Sequence, residues 1–319
     1  MAVGNPSFGE IASTTLNEHA ALLANNIFDN QPYMYWLQQG QRVKDFNGGN
    51  TIVEPIIHGK NTTVATYAGY DTLAVTAQTG LTAASFDVKQ AFATIAIDGF
   101  SQMQNAGPQE VIDLLEAKMM QTQESITDFF DEMLINSDGT GNSSKDWLGL
   151  LALIGDGTVG PATVGGIDAS DALNSWWRSK LNNAASSALL LSDMATMVND
   201  CSNGTDRPDL ILTSQKQYEA YEALLTPQQM FRDESIANAG FRNLLYKDIP
   251  VVYDAYVPDD KMLFLNSKYL KLRPNRKTWF TTTPFVRPHN QDAVYAQVLM
   301  GGQQTVNSRR RQGMIYGIA

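Results

Sequence analysis

The stretch PQEVIDLLEAKMMQTQESITDFFDEMLIN, residues 108–136, carries the strongest helical pattern in the sequence. Pro108 suits a first helical turn, and Glu110 and Asp113 complement the positive end of the helix dipole. Its apolar positions recur at helical spacing, and they are Val111, Leu115, Met119, Ile126, Phe129, Phe130 and Met133. We therefore predict one helix of about 29 residues, or about 43 Å, that ends at Asn136 and forms the spine of the fold.

The segment after this helix, LALIGDGTVGPATVGG at 151–166, contains G-x-G-x-x-G at Gly155, Gly157 and Gly160. A dinucleotide-binding loop places this pattern between a strand and a helix that opens at the third glycine. Proline, β-branched residues and two adjacent glycines follow Gly160, and they disfavour a helix there. The pattern therefore does not predict a nucleotide site.

Residues 1–45 have the character of an arm. The spelling Thr15-Leu-Asn-Glu18 is a capping box, followed by a helical apolar stripe made by Leu16, Ala20, Leu23 and Ile27. The next segment, QPYMYWLQQG, places five aromatic or apolar residues at 33–37. So short a segment cannot bury these side chains itself, so it needs the rest of the chain or a neighbour.

Residues 50–98 are rich in Thr, Val, Ala and Gly and poor in charge, in the manner of strands separated by turns. The apolar alternation is weak, and an isolated strand pair of this kind is unstable. We predict a long two-stranded excursion that lies on a neighbouring subunit.

The last third of the chain alternates helical and strand patterns and predicts a compact α/β unit. Its pieces are ALLLSDMATMVNDCS (188–202), RPDLILTS (207–214), QKQYEAYEALL (215–225) and IPVVYDAYVPDDKMLFLN (249–266). Before it stand Trp176, Trp177 and Arg178, which are either core residues or interface anchors, since Trp and Arg dominate binding hot spots.

Composition limits the function classes. The 319 residues carry 23 Lys and Arg against 33 Asp and Glu, for a net charge of −10. This charge argues against a protein that binds nucleic acid by neutralising phosphates, although not against one that encloses it. The single cysteine, Cys201, excludes an internal disulfide framework. No signal peptide or membrane-length apolar run is present, so we expect synthesis in the cytoplasm.

No constellation of residues predicts catalysis. The histidines His19, His58 and His289 are far apart, without metal-ligand spacing. The carboxylates of the spine helix, Asp128, Asp131 and Glu132, are expected on its solvated face. Neither a nucleophile elbow nor a Walker loop occurs. We therefore predict no catalytic residue, no cofactor and no metal site.

The triplet Arg309, Arg310 and Arg311 has two interpretations. It either contacts phosphate or pairs with acidic groups of another subunit, and the acidic chain favours the second. We expect replacement of all three by glutamine to leave the subunit folded and impair assembly, and assembled particles to loosen as salt rises.

The order of these parts resembles a tailed-bacteriophage major capsid protein of the Hong Kong 97-like fold, over nearly the whole chain. The most specific pieces are DIPVVYD (248–254), VPDDKMLFLN (257–266) and the closing NSRRRQGMIYGI (307–318). The resemblance implies an α+β fold with five parts. These are an N-terminal arm (1–45), an extended β loop (46–98), a P-domain with the spine helix and glycine-rich loop (99–187), an A-domain (188–288) and a C-terminal return to the P-domain (289–319).

The same resemblance implies a structural protein without an active site, which forms pentamers and hexamers and closes an icosahedral shell around double-stranded DNA. It implies a portal partner, no membrane and no sequence-specific DNA contact. Because the arm starts at Met1, we expect scaffolding to be either a separate protein or unnecessary. A separate scaffolding or decoration protein is a further partner that the resemblance implies. Residues 155–166 resemble a flexible loop where capsomers meet. We expect Leu115→Asp or Phe129→Asp to abolish soluble protein, because each puts a charge into the buried face of the spine helix, and Gly155→Ala to be mild by comparison.

Two alternatives stay open. An encapsulin-type nanocompartment shares the fold implied here but holds a cargo enzyme instead of a genome. A nucleotide-binding enzyme that uses the glycine-rich loop is the less favoured of the two.

Overall fold

The computed structural model describes residues 31–46, 48–104, 108–225 and 243–319. The helices of this part are α1 (Pro32–Gln39), α2 (Gly99–Gln104), α3 (Pro108–Asn136), α4 (Gly141–Ser144), α5 (Leu150–Ile154), α6 (Leu191–Cys201) and α7 (Gln215–Leu224), with 3-10 turns at Ala172–Trp177 and Arg309–Arg311. The strands are β1 (Thr51–Ile57), β2 (Leu81–Asp87), β3 (Lys89–Asp98), β4 (Thr163–Val164), β5 (Ile167–Asp168), β6 (Lys180–Ser187), β7 (Leu210–Thr213), β8 (Asn243–Tyr246), β9 (Ile249–Tyr253), β10 (Met262–Leu265), β11 (Leu270–Pro274), β12 (Thr281–Thr282), β13 (Ala293–Val306) and β14 (Gly313–Ile318).

A six-stranded mixed sheet forms one unit, in the order β6-β14-β10-β7-β9-β8. Strands β7 and β10 are buried at every position, as expected for short apolar runs covered on both faces. Helix α6 packs on β14, β6 and β10, and helix α7 packs on β9. The fully buried Met194, Tyr221 and Phe264 belong to the core of this unit.

A second sheet is built around the 14-residue strand β13, with which β3, β11 and β12 all pair antiparallel. The spine helix α3 packs along β3. Phe130 of α3 contacts Trp147 and Trp279 edge-on, with ring centroids 5.3 and 5.6 Å apart. Aromatic pairs prefer this geometry, so the cluster fixes the helix on its sheet.

The predicted spine helix is confirmed with both of its ends, Pro108 and Asn136. Its buried side chains Ile126, Phe130 and Leu134 follow a four-residue spacing along one face. Phe129 is 42% exposed, so the prediction that it belongs to the buried face is wrong: it lies one position, about 100° of helical rotation, from Phe130. The side chains of Val111 and Leu115 lie outside the described part.

The aromatic segment 33–37 is buried by the chain's own fold. It forms α1, which packs on β11, and Tyr33, Met34, Trp36 and Leu37 are buried. The Tyr33 hydroxyl donates a hydrogen bond of 2.6 Å to Oε1 of Gln304 in β13. The helical stripe predicted from Leu16 to Ile27 lies outside the described residues.

The predicted excursion is shorter than 50–98. Strands β1 and β2 pair antiparallel from Thr51 with Asp87 to Ile57 with Leu81, and we call residues 51–87 the extension. Strand β3 leaves this pair and joins β13, because its inward Ile95 and Ile97 are buried in the larger sheet.

Strand pairing also crosses the predicted domain boundaries. Strand β6 joins the six-stranded sheet, although it precedes residue 188, and β11 and β12 join the sheet of the spine helix, although they precede residue 289. The C-terminal segment is divided, with β13 beside the spine helix and β14 in the six-stranded sheet. The sheet to which a strand belongs is decided by the strands with which it forms hydrogen bonds, and the order of segments along the chain does not reveal those partners.

Candidate functional site

The outer part of the extension, residues 58–80, presents apolar side chains to solvent. Val64, Tyr67, Tyr70, Leu73 and Val75 are all exposed. Lys60 and Asp71 are the only Lys, Arg, Asp or Glu residues in this segment. Exposed apolar side chains concentrated on one segment are typical of an interaction surface.

Glu54 anchors the base of the extension. Its carboxylate is 1% exposed and accepts hydrogen bonds from Lys271 Nζ at 2.6 Å and from Arg273 Nη2 and Nε at 2.6 and 3.0 Å. The Thr305 hydroxyl donates a further bond of 3.2 Å. Burial acts to raise the pKa of Glu54, but the hydrogen bonds and charges of the two cations outweigh it, and the pKa is lowered. The cluster ties β1 to β11 and β13.

This cluster was not predicted from the sequence, although the sequence contains a signal for it. Glu54 lies between Ile52 and Ile56 at the period of two that places side chains on one face of a strand. Both isoleucines are buried. A carboxylate on a buried face requires a cationic partner, but the partners lie 217 and 219 residues away.

The glycine-rich loop also supports the base of the extension. Strands β4 and β5 form a small hairpin, and the carbonyl of Gly165 at its turn accepts a 2.9 Å hydrogen bond from the Ser85 amide in β2. Gly165 has φ of +63°, and a Cβ there would lie 2.7 Å from the Ala84 side chain. Glycine is therefore required by both backbone conformation and space.

The backbone around Gly155, Gly157 and Gly160 is not that of a dinucleotide-binding loop. Helix α5 precedes the glycines where the motif needs a strand, and the β4–β5 hairpin follows them where it needs a helix. Gly155 allows a close backbone approach, since a Cβ there would lie 2.2 Å from the Val159 carbonyl oxygen. An alanine at Gly155 therefore requires this backbone to shift, which argues against a mild effect of Gly155→Ala.

Arg309 occupies the interior of this loop. It is fully buried, its Nε donates to the Leu153 carbonyl at 2.9 Å, and its Nη2 donates to the Gly155 carbonyl. The guanidinium lies 5.9 Å from the Trp177 ring centroid. Burial lowers its pKa to about 10, so the group remains charged at neutral pH. The expectation that Arg309 serves an interface is wrong, because carbonyl oxygens within the subunit use its donors.

The other two arginines of the triplet differ from Arg309. Arg310 is exposed, and Arg311 is half-buried with its Nη1 3.5 Å from the Cys201 carbonyl oxygen. Glutamine at all three positions would also remove the buried Arg309. A defect of the triple variant could therefore arise from the fold or from assembly. Arg310 alone is a suitable probe of a surface contact.

The described histidines and the single cysteine do not come together into a catalytic or metal-binding group. Exposed His58 stacks on Trp176 with ring centroids 4.6 Å apart, and burial raises the pKa of the Cys201 thiol to about 12. No group of three or more His, Cys, Asp or Glu side chains in the described part is arranged to hold a metal ion. Within the same part, no helix combines the length and apolarity needed to cross a bilayer. His19 lies outside the described residues.

Asp131 was expected on the solvated face of the spine helix, but its side chain is half-buried. Burial, followed by the charges of Asp254 and Asp128, raises its pKa to about 8. The pKa of Asp254 is also raised by burial, and its buried Oδ2 has no hydrogen-bond partner in the described structure. Beside them, Asn136 Nδ2 donates a 2.6 Å bond to the Tyr256 carbonyl. These contacts join the spine helix to the loop after β9.

Comparison with known proteins identifies the family. A model of the SU10 major capsid protein family matches residues 76–307, which is more than half of the chain. The comparison with curated protein sequences gives no significant match.

Solved structures show the fold. The chain is similar to the cyanophage A-1(L) capsid asymmetric unit, with a TM-score of 0.65, 18% identity and coverage of 87% of this chain and 90% of that one. The capsid of Myoviridae phage XM1 matches with a TM-score of 0.58 and 13% identity, over 88% of this chain and 90% of that one. The holo-SrpI encapsulin complex from Synechococcus elongatus PCC 7942 matches with a TM-score of 0.55 and 11% identity, over 89% of this chain and 87% of that one. The predicted Hong Kong 97-like α+β fold is confirmed.

Family and fold agree with the exposed apolar extension that the buried Glu54 cluster holds in place. The match over residues 76–307 shows that this chain belongs to the SU10 major capsid protein family, the structural shell proteins of tailed-phage virions.

Proposed function

We propose that the chain assembles into pentamers and hexamers that close an icosahedral shell around double-stranded DNA in the bacterial cytoplasm. The observation that carries this proposal is the extension, whose exposed Val64, Tyr67, Tyr70, Leu73 and Val75 are presented on an anchored base. An apolar segment of this kind is stabilised by burial against a further surface. A second copy of the chain supplies that surface.

The parts of the fold take distinct roles in this proposal. The unit of α3 and the β13 sheet is the P-domain, the six-stranded unit is the A-domain, and the extension is the extended loop. The family implies a structural role and not an enzymatic one. A portal and a separate scaffolding or decoration protein are the further partners, and DNA is enclosed without sequence-specific contacts, in keeping with the net charge of −10.

Electron microscopy of the purified protein, combined with nuclease treatment, tests the proposal. We expect closed particles with five-fold and six-fold capsomers, and nuclease-protected double-stranded DNA in particles from infected cells. Particles that contain an enzyme and no DNA would favour an encapsulin-type compartment, which the similarity to an encapsulin supports as the second candidate. Protein that forms no particles under any condition would contradict both.

A further inference from the structure

Two cavities of 360 and 550 Å³ adjoin at Trp176 and Arg310. The first is bounded by the outer end of β1, at Ile57 and His58, and by the connection between β13 and β14. The second continues past Trp176 to the start of β6. We call these two cavities the Trp176–Arg310 cleft. It lies directly beside the base of the extension.

The first cavity of the cleft concentrates positive charge in a chain of net charge −10. The guanidinium groups of Arg310 and Arg311 line it, and no described Asp or Glu does. Within the described part of the chain, exposed Arg310 makes no hydrogen bond or ion pair. Its five N–H donors are therefore available to an incoming anion.

Two residues that line the cleft also carry buried, unpartnered polar atoms. Ser179 is 6% exposed, and its buried Oγ has no hydrogen-bond partner among the described residues. The buried Oδ1 of Asn307 in the first cavity is likewise unpartnered within that part. Buried polar groups without partners are rare and costly. Both atoms are closed to solvent in the subunit, so a ligand satisfies them only where the cleft wall shifts on binding. The ligand must then accept from the serine hydroxyl and donate to the amide oxygen, and a peptide segment with a carboxylate side chain has both groups.

The aromatic wall of the cleft gives it a further property of a binding site. The half-buried Trp176 stacks on His58 with an interplanar angle of 21°, so its ring is held in place. Ordered Trp and Arg side chains are the types most enriched among residues that dominate binding energy.

We propose that the Trp176–Arg310 cleft receives a carboxylate-bearing segment of a second copy of this chain. The second cavity combines Asp156 and Asp200 with Arg178 and Lys180, and this mixed lining suits a protein segment of mixed charge better than a run of phosphates. The 33 acidic residues of each copy supply the carboxylates, and guanidinium binds carboxylate through paired hydrogen bonds. The inference rests on the proposed shell function, which brings identical copies together.

The test uses the full-length protein and the variants Arg310→Gln and Ser179→Ala. Lys216→Gln is the matched control, because it removes one exposed positive charge on α7, away from the cleft. Circular dichroism checks the fold of each variant. Sedimentation velocity across a dilution series at several salt concentrations then measures assembly, and nuclease-protected DNA is measured in the particles.

We expect folded Arg310→Gln subunits whose concentration for half-assembly rises about ten-fold, with a weaker salt dependence than wild type. Ser179→Ala should shift assembly in the same direction, and Lys216→Gln should match wild type. Assembly of Arg310→Gln and Ser179→Ala equal to the control overturns the inference while the shell function stands. Normal assembly with altered DNA content also overturns it, in favour of a phosphate contact. Wild-type protein that forms no particles overturns the shell function and this site with it.

Discussion

At the base of the extension, Glu54 occupies an inward strand position that an apolar residue would ordinarily fill. Removing one partner of a buried ion cluster leaves the other charges without compensation, which is costly. Lys271 and Arg273 keep side-chain exposures of only 15% and 21%, so water compensates them incompletely.

We expect Glu54→Gln to lower the free energy of unfolding by about 3 kcal/mol. Denaturant unfolding of isolated subunits measures the change. Glu222→Gln, at an exposed position of α7, is the control and should change stability by less than about 0.5 kcal/mol. Equal effects of the two variants would show that the cluster does not stabilise the base of the extension.

Gly155 is a second single position on which the fold depends. Because an added Cβ meets the Val159 carbonyl at 2.2 Å, Gly155→Ala displaces backbone that binds the buried Arg309 guanidinium. We expect a loss of about 1 to 3 kcal/mol of stability. The control is Gly69→Ala in the extension, where nothing lies within 4 Å of the added Cβ. Thermal unfolding of both variants compares them, and equal melting temperatures would contradict the tight packing of the loop.

At the scale of elements, the spine helix meets the loop after β9 through the carboxyls of Asp131 and Asp254. Since the pKa of Asp131 in the folded chain is about 8, above its usual 3.8, the folded state binds this proton more tightly than the unfolded state. The resulting stabilisation is complete below about pH 4 and is lost as the pH rises through about 8.

Asp131→Asn removes this titration and should therefore stabilise the subunit at pH 8.5, by on the order of 2 kcal/mol, with little effect near pH 4. Denaturant unfolding at both pH values measures it. Asp259→Asn, which removes an exposed carboxylate from the turn before β10, is the control. A gain for Asp131→Asn that is the same at both pH values would exclude the titration of this pair as its cause.

At the scale of the whole molecule, the outer part of the extension, residues 58–80, has less support from its own subunit than the core strands of the described part. Residues 58–80 contain few internal hydrogen bonds, such as those from the Thr62 amide and hydroxyl to Gln78 Oε1, both 3.1 Å. Assembly should therefore change this segment more than any core strand.

Hydrogen exchange on isolated subunits should show residues 58–80 poorly protected, and the same residues protected in particles. Strand β10, buried at every position, is the internal control and should be protected in both states. Equal protection of residues 58–80 in both states would contradict an interface role for the extension.

The amino-acid sequence alone determined the spine helix from Pro108 to Asn136 and the short buried strands. It could do so because helix propensity, capping and hydrophobic periodicity act between residues that are close in the chain. The tertiary structure alone decided that Arg309 is buried while adjacent Arg310 is exposed, and that Glu54 meets cations 217 and 219 residues away. It also decided that β3 leaves the extension to pair with β13. These outcomes depend on which distant segments the chain brings together, and a pattern confined to neighbouring residues does not contain that information.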